Sequence, residues 1–214
     1  VLPDEVSAGY SWLNPDVTFL DQSHTRILPG IWEEVSKAMF TGREITISYR
    51  KPGDNAGSRR TVRPYHMLSY GGEWYLAAYC CTRGEVRSFA LSRMEEALVS
   101  QTPFEKPADF SITDYLGSQF GITREEGEHT VVVEFSGGAA PFIRERVWQR
   151  EQEVVELPGG GVRLRFTAGS LVEVRRWILS WGGAAKVIEP ESLVRDMASE
   201  VCAMRELYEK TNGK

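Results

Sequence analysis

Glu73-Trp74-Tyr75-Leu76-Ala77-Ala78-Tyr79-Cys80 places apolar side chains on both parities of an eight-residue run. That pattern predicts a strand covered on both faces and central in its sheet. A tight turn precedes it at Gly71-Gly72, and Thr82-Arg83-Gly84 turns the chain after it. Downstream, Val86 to Leu91 and Ala97 to Gln101 read as two further strands. Upstream, Arg60 to Tyr70 reads as another; Pro64 lies inside it, which requires an edge position or a bulge. Before that, Ile45, Ile47 and Tyr49 alternate with Thr46, Ser48 and Arg50, the pattern of a half-buried strand. Lys51 to Ser58, rich in Gly, Asp, Asn and Pro, forms the hairpin tip between them. Five short strands at close spacing predict a small closed barrel, because closure removes exposed edges.

Working outward, Ile27, Ile31, Val35 and Met39 recur every four residues, which predicts a helix ahead of the barrel that stops at Gly42. Pro29 is acceptable in its first turn. Residues 1–25 read as a tail, 26–104 as the barrel domain, 105–129 as a connecting helix and linker, and 130–214 as a second domain. Within 105–129, Asp114-Tyr115-Leu116 lies in a short helix. In the second domain, Val131 to Phe135 is a strand and Ala140 to Arg150 a helix. Val154 to Leu157 and Val162 to Phe166 form a hairpin around Pro158-Gly159-Gly160-Gly161. Ser170 and Glu173 have the spacing of a capping box, in which hydroxyl and carboxylate each meet an orphan backbone N–H. Leu171, Val174, Ile178 and Trp181 line the helix behind them, and Ala185 to Ile188 is the last strand. The order βαββαβ is the ferredoxin-like plan, so the expected class is α+β. A final helix, Ser192 to Tyr208, carries Val194, Met197, Val201, Met204 and Tyr208 at the spacing of a coiled-coil seam. Packing within its own chain and pairing at a dimer interface both fit that seam.

The 214 residues are ordinary for globular protein, with 42% hydrophobic and 26% charged content. No apolar run nears the roughly 20 residues of a membrane span, and no basic-then-apolar leader opens the chain. Its first residue is Val1 rather than Met, which predicts a piece of a longer protein. Three cysteines, Cys80, Cys81 and Cys202, have no zinc-ligand spacing; they read as small core residues in a reducing cytoplasm. From Arg43 to Arg93 nine basic residues stand against four acidic ones, a local charge of +5 in a chain whose total is -5, so the other residues carry -10. One part of an acidic protein is thus set to attract an anion. No nucleophile elbow or metal-ligand cluster appears, nor does a phosphate-binding Gly-rich loop with its lysine. His24, His66 and His129 are scattered over three segments. No enzyme, cofactor or metal is expected.

Three blocks in order, Arg63-Pro64-Tyr65-His66-Met67-Leu68, Gly72 to Tyr79, and Arg87-Ser88-Phe89-Ala90-Leu91-Ser92-Arg93, resemble the WYL domain. The third looks like that family's R-x-F-x-L-x-R element, and Ile45 to Tyr49 like its first strand. Arg146-Val147-Trp148, the hairpin, Trp177 to Gly182 and Ile188-Glu189-Pro190 are similar to the WCX extension that follows many WYL domains. The resemblance implies an Sm-like, SH3-type barrel in a dimeric bacterial transcription regulator. It also implies an N-terminal helix-turn-helix that contacts operator DNA, which this chain lacks. The implied effector is a nucleic-acid fragment, such as single-stranded DNA, or a nucleotide.

The residues can serve that chemistry. In one extended strand Arg87, Phe89, Leu91 and Arg93 share parity, so both arginines would project from one side. Guanidinium forks bind phosphate through paired, charge-assisted hydrogen bonds. Tyr49, Tyr65, Tyr75 and Phe89 offer rings for base stacking, and His66 can donate to a phosphate or base edge. The candidate effector site is therefore Tyr49, Arg63, His66, Tyr75, Arg87, Phe89 and Arg93. Against it stands the bland arrangement, in which Tyr75 and Phe89 simply pack and Arg63, Arg87 and Arg93 are solvated or paired with Glu73, Glu85 or Glu95. Trp74 and Leu76 are expected in the core. A purely structural oligomerisation module is the alternative function.

Overall fold

The computed structural model describes residues 24–51, 53, 56–117, 120–122 and 127–211. The expected tail therefore lies almost wholly outside the described residues, as do parts of the hairpin tip and of the linker. The chain parts into two compact units between Tyr115 and Leu116. It is mixed α+β, with all strand pairs antiparallel.

In the first unit, α1 (Ile31–Thr41) begins four residues after Ile27. Gly30, in the left-handed region at φ 83°, breaks the turn that Pro29 was expected to open. Ile27 stays buried all the same, beside Ile31, Val35 and Ala38. The helix stops at Gly42 as expected, with φ 59°. Strands β1 (Arg43–Tyr49), β2 (Ser58–Tyr70), β3 (Glu73–Cys80), β4 (Glu85–Ala90) and β5 (Met94–Pro103) follow. They pair in the order β4-β3-β2-β1-β5, which puts β3 inside the sheet. Among the described residues no ladder joins β4 to β5, so the closure expected of a barrel is not made by backbone pairing.

Pro64 sits in an interior strand, and the structure accommodates it with a bulge: the β2–β3 register shifts between Pro64 and His66. Ile45, Ile47, Val62, Leu76, Ala78 and Cys80 face the core. Trp74 packs partly buried against it, edge-on to Trp32 at 4.9 Å. Of the cysteines, only Cys80 is interior. Cys81 follows on the opposite parity and Cys202 lies on an open helix, so both are exposed, against expectation.

The second unit runs β6 (His129–Phe135), α3 (Ala139–Arg144), β7 (Glu153–Glu156), β8 (Val162–Ala168), α4 (Leu171–Leu179), β9 (Ala185–Glu189) and α5 (Glu191–Thr211). Its sheet order is β7-β8-β6-β9. The helix expected to reach Arg150 stops at Arg144. Side-chain amides then take the backbone donors: Gln152 Oε1 accepts from the Trp148 and Gln149 N–H groups, and Gln149 Oε1 from that of Glu151. At α4, Ser170 Oγ accepts from the Val172 N–H as a helix cap. The Glu173 carboxylate reaches outside the helix to accept from the Ile122 N–H.

Two halves of α5 differ. Leu193 is buried, and Val194 and Met197 pack on the unit's core. Val201, Met204, Leu207 and Tyr208 are exposed, by 44–71%. The seam thus begins as an internal contact and continues into solvent.

Candidate functional site

Residues directly opposite in a ladder share a sheet face. Leu76 stands opposite Phe89 and Met67, on the core side. Tyr79 stands opposite Arg63, Ala77 opposite both His66 and Ser88, and Tyr75 opposite Leu68. These form the outer face of β2, β3 and β4. Tyr65 and Ala77 are buried there without belonging to the core cluster, so the outer face is itself covered.

The cover comes from the segment after β5. Phe104 N–H donates to the Gly42 carbonyl at 2.8 Å. The Phe104 and Phe110 rings lie 6.0 and 5.0 Å from Tyr65, and Phe110 lies 6.1 Å from Tyr115. Tyr115, on α2 (Ile112–Leu116), shares a hydrogen bond with Ser88 Oγ at 3.1 Å. Lys106 Nζ donates to the Tyr65 carbonyl at 3.4 Å and stands 5.5 Å from the Phe110 ring centre.

Arg63, His66 and Tyr75 are brought to this outer face. Arg63 Nε donates to Glu44 Oε1 at 2.9 Å, and its guanidinium lies 5.6 Å from the Tyr79 ring centre. The bond to Glu44 raises the proton affinity of Arg63. Burial lowers the proton affinity of His66, and the Lys106 charge lowers it further. Burial raises the Tyr65 phenol and the Cys81 thiol, while Arg63 pulls both down.

Four expected residues are placed elsewhere. Tyr49 and Phe89 are 6% and 3% exposed and meet edge-on at 5.3 Å inside the core. Tyr49 also accepts from the Ala90 N–H through its hydroxyl. Neither ring has a free face for a base, which corrects the expectation of stacking platforms. Arg87 stands opposite Ala78, on the side away from Arg63. Its Nε meets Glu85 Oε1 at 2.9 Å, the carboxylate pairing weighed beforehand. Arg93 does not continue the alternation, because β4 ends at Ala90 and Leu91–Arg93 is a 3-10 turn. Its carbonyl accepts from the Arg50 N–H; its exposed side chain makes no ion pair among the described residues. The three arginines are therefore not one cluster, and two of them hold carboxylates. Those pairs are partly exposed and worth about 0–1 kcal/mol each, so an incoming phosphate can compete for the guanidinium.

Sequence reasoning missed Glu44, Tyr79, Lys106, Phe110 and Tyr115. Glu44 and Tyr79 were legible from alternation, since they share Arg63's face once the strands pair. The other three sit in a stretch without periodicity, and no local signal marks where it packs.

Among the described residues no group of His, Cys, Asp and Glu could hold a metal, and no helix is long and apolar enough to cross a membrane.

A small antiparallel sheet with a basic, aromatic-backed face, joined to a second α+β unit, is the class these features define. The chain belongs to the WYL domain family: the WYL domain matches residues 30–99, and the WCX domain matches 127–205. It is 29% identical over 86 residues to the DNA-binding transcriptional repressor CapW of Escherichia coli, covering 40% of this chain and 28% of CapW. Protein PafC of Mycobacterium tuberculosis is 25% identical over 186 residues, covering 82% of this chain and 54% of PafC. A solved structure of a CRISPR Cas-related protein has a TM-score of 0.54 at 14% identity, over 85% of this chain and 51% of the other. That likeness concerns the fold alone. The chain spans about half or less of the length of these relatives.

Proposed function

We propose that these residues form the ligand-sensing and dimerising region of a bacterial transcription regulator, a cytoplasmic and non-catalytic one. In this reading the first unit is an Sm-like, SH3-type barrel; the strand order β4-β3-β2-β1-β5 and the 3-10 turn between β4 and β5 support it. The second is ferredoxin-like, supported by the all-antiparallel order β7-β8-β6-β9. The effector is a short single-stranded nucleic acid or a nucleotide-like anion. Arg63, His66 and Tyr75 meet it on the outer face, and Arg87 and Arg93 meet it beyond the edge; Tyr49 and Phe89 support the sheet from beneath. Operator DNA is met through a helix-turn-helix domain of the same regulator. The observation that carries the reading is the +5 stretch from Arg43 to Arg93, which falls wholly within the WYL match.

Titration of the 214-residue chain with oligothymidylate about six nucleotides long tests it. Affinity is expected to fall steeply between about 50 and 200 mM salt. Arg93→Ala should cost about tenfold, since it removes a cation with no competing carboxylate. Unchanged binding in Arg93→Ala, Arg87→Ala and Arg63→Gln alike would remove the site assignment.

The homodimer rests on the exposed stripe of α5, which carries Val201, Met204, Leu207 and Tyr208. Light scattering is expected to show a dimer that Met204→Glu converts to monomer, because burying an unpaired carboxylate opposes association. If that variant dimerises like the parent, α5 is not the interface. A dimer that no anion titration alters would favour the structural module over the sensor.

A further inference from the structure

Residues 104–115 are the last of the first unit, and the chain passes from Tyr115 straight into the second. The segment is not a free linker. Phe104 and Phe110 enclose Tyr65, Tyr115 holds Ser88, and Lys106 reaches back to the Tyr65 carbonyl. Tyr65 neighbours His66 in the chain, and Ser88 stands beside Ala77, the cross-strand partner of His66. Every one of these contacts therefore falls on the face where the effector is placed.

Lys106 differs from the arginines of that region. Arg63 is tied to Glu44 and Arg87 to Glu85, whereas Lys106 is exposed and makes no ion pair among the described residues. Its contacts are a neutral carbonyl at 3.4 Å and a ring face at 5.5 Å. An ammonium on a flexible stem can leave both without stranding a buried charge. It also sits close enough to His66 to lower that imidazole's proton affinity.

We infer that residues 104–115 are a strap over the effector face, in which Lys106 is a further phosphate-binding group and the Tyr115–Ser88 bond is a latch that reports occupancy to the second unit. This rests on the reading of that face as an effector site. A phosphate held by Lys106 beside His66 offsets the ammonium charge there, favours a proton on the imidazole and holds the strap down. Tyr115 is itself the last residue before Leu116, so the restraint reaches the start of the second unit along the chain.

The test is fluorescence anisotropy with labelled oligothymidylate, paired with amide hydrogen exchange over 104–115 in the full chain. Lys106→Gln keeps the stem and removes the charge. It is expected to weaken binding about three- to tenfold and to lower the salt slope by about 0.7, the share of one phosphate contact. Its melting temperature should stay unchanged, because the side chain is exposed. The parent strap should gain exchange protection on binding, and Tyr115→Phe should lose most of that gain while keeping its ring. If the parent binds but Lys106→Gln matches it in affinity and slope, or the strap's exchange does not respond, the strap inference fails and the effector reading stands. If the parent does not bind the oligonucleotide, both fall.

Discussion

Trp177→Ala is expected to destabilise the second unit by about 3–5 kcal/mol, the range for removing a large packed aromatic. Trp177 lies at the hub of an aromatic cluster. Its ring centre is 5.0 Å from Phe120 and Trp148, 5.5 Å from Phe135, 6.1 Å from Phe166 and 6.3 Å from Trp181. These rings come from the segment ahead of β6, from β6, β8 and α4, and from the loops after α3 and α4, so truncation opens a void shared by most of the unit. Among the described residues the buried Trp177 and Trp181 indole N–H groups have no hydrogen-bond partner, so losing one orphans no acceptor there. Trp177→Phe keeps a ring at the hub and leaves a smaller void, so it should cost less than Trp177→Ala. Urea unfolding with near-UV circular dichroism reads both, since the coupled tryptophan signal disappears with the ring. A Trp177→Ala midpoint equal to the parent's would show that the cluster does not hold the unit together.

Leu76→Ala is expected to cost the first unit about 2–5 kcal/mol. Leu76 is fully buried in β3, flanked by Phe89 of β4 and Met67 of β2. Backbone pairing on both sides restricts how far the strand can move to fill the gap, which favours the upper part of the range. Phe89 and Tyr49 share that core, so the same substitution loosens the floor beneath the candidate site. Hydrogen exchange should show β2, β3 and β4 losing protection while β6 and β8, in a separate core, retain theirs. Equal losses in both units would contradict the division of the chain.

The fold was largely legible because its elements carry clean periods. Ile45, Ile47 and Tyr49 alternate and are buried in alternation, and the apolar run from Trp74 to Cys80 is an interior strand. Pro64 announced its irregularity, since an interior strand can accept a proline only by bulging. Elements set by side-chain capture were not legible. The end of α3 depends on Gln149 and Gln152 binding backbone donors, and no period records that.

The candidate site was legible in part. The motif blocks brought Arg63, His66 and Tyr75 into the candidate set, but extending the alternation of Arg87 and Phe89 through Leu91 to Arg93 overlooked the 3-10 turn that resets the direction of each side chain. Ring count suggested stacking surfaces, yet Tyr49 and Phe89 satisfy each other and the core instead. An aromatic residue on a strand announces burial and recognition with the same letter, and only the neighbouring elements decide between them.

The irregularity at Pro64 sets more than a local kink. In an unbroken strand, neighbours point to opposite sides, so Tyr65 and His66 could not both serve the same surface. The extra residue acts as a half-step in the strand's rhythm. His66 comes out beside Ala77, Met67 goes inward beside Leu76, and every position onward to Tyr70 inherits that phase. Straightening the strand with that residue retained would invert the half that follows, driving the imidazole into the hydrocarbon and the thioether into water, whereas deleting the extra residue would keep both on their present sides.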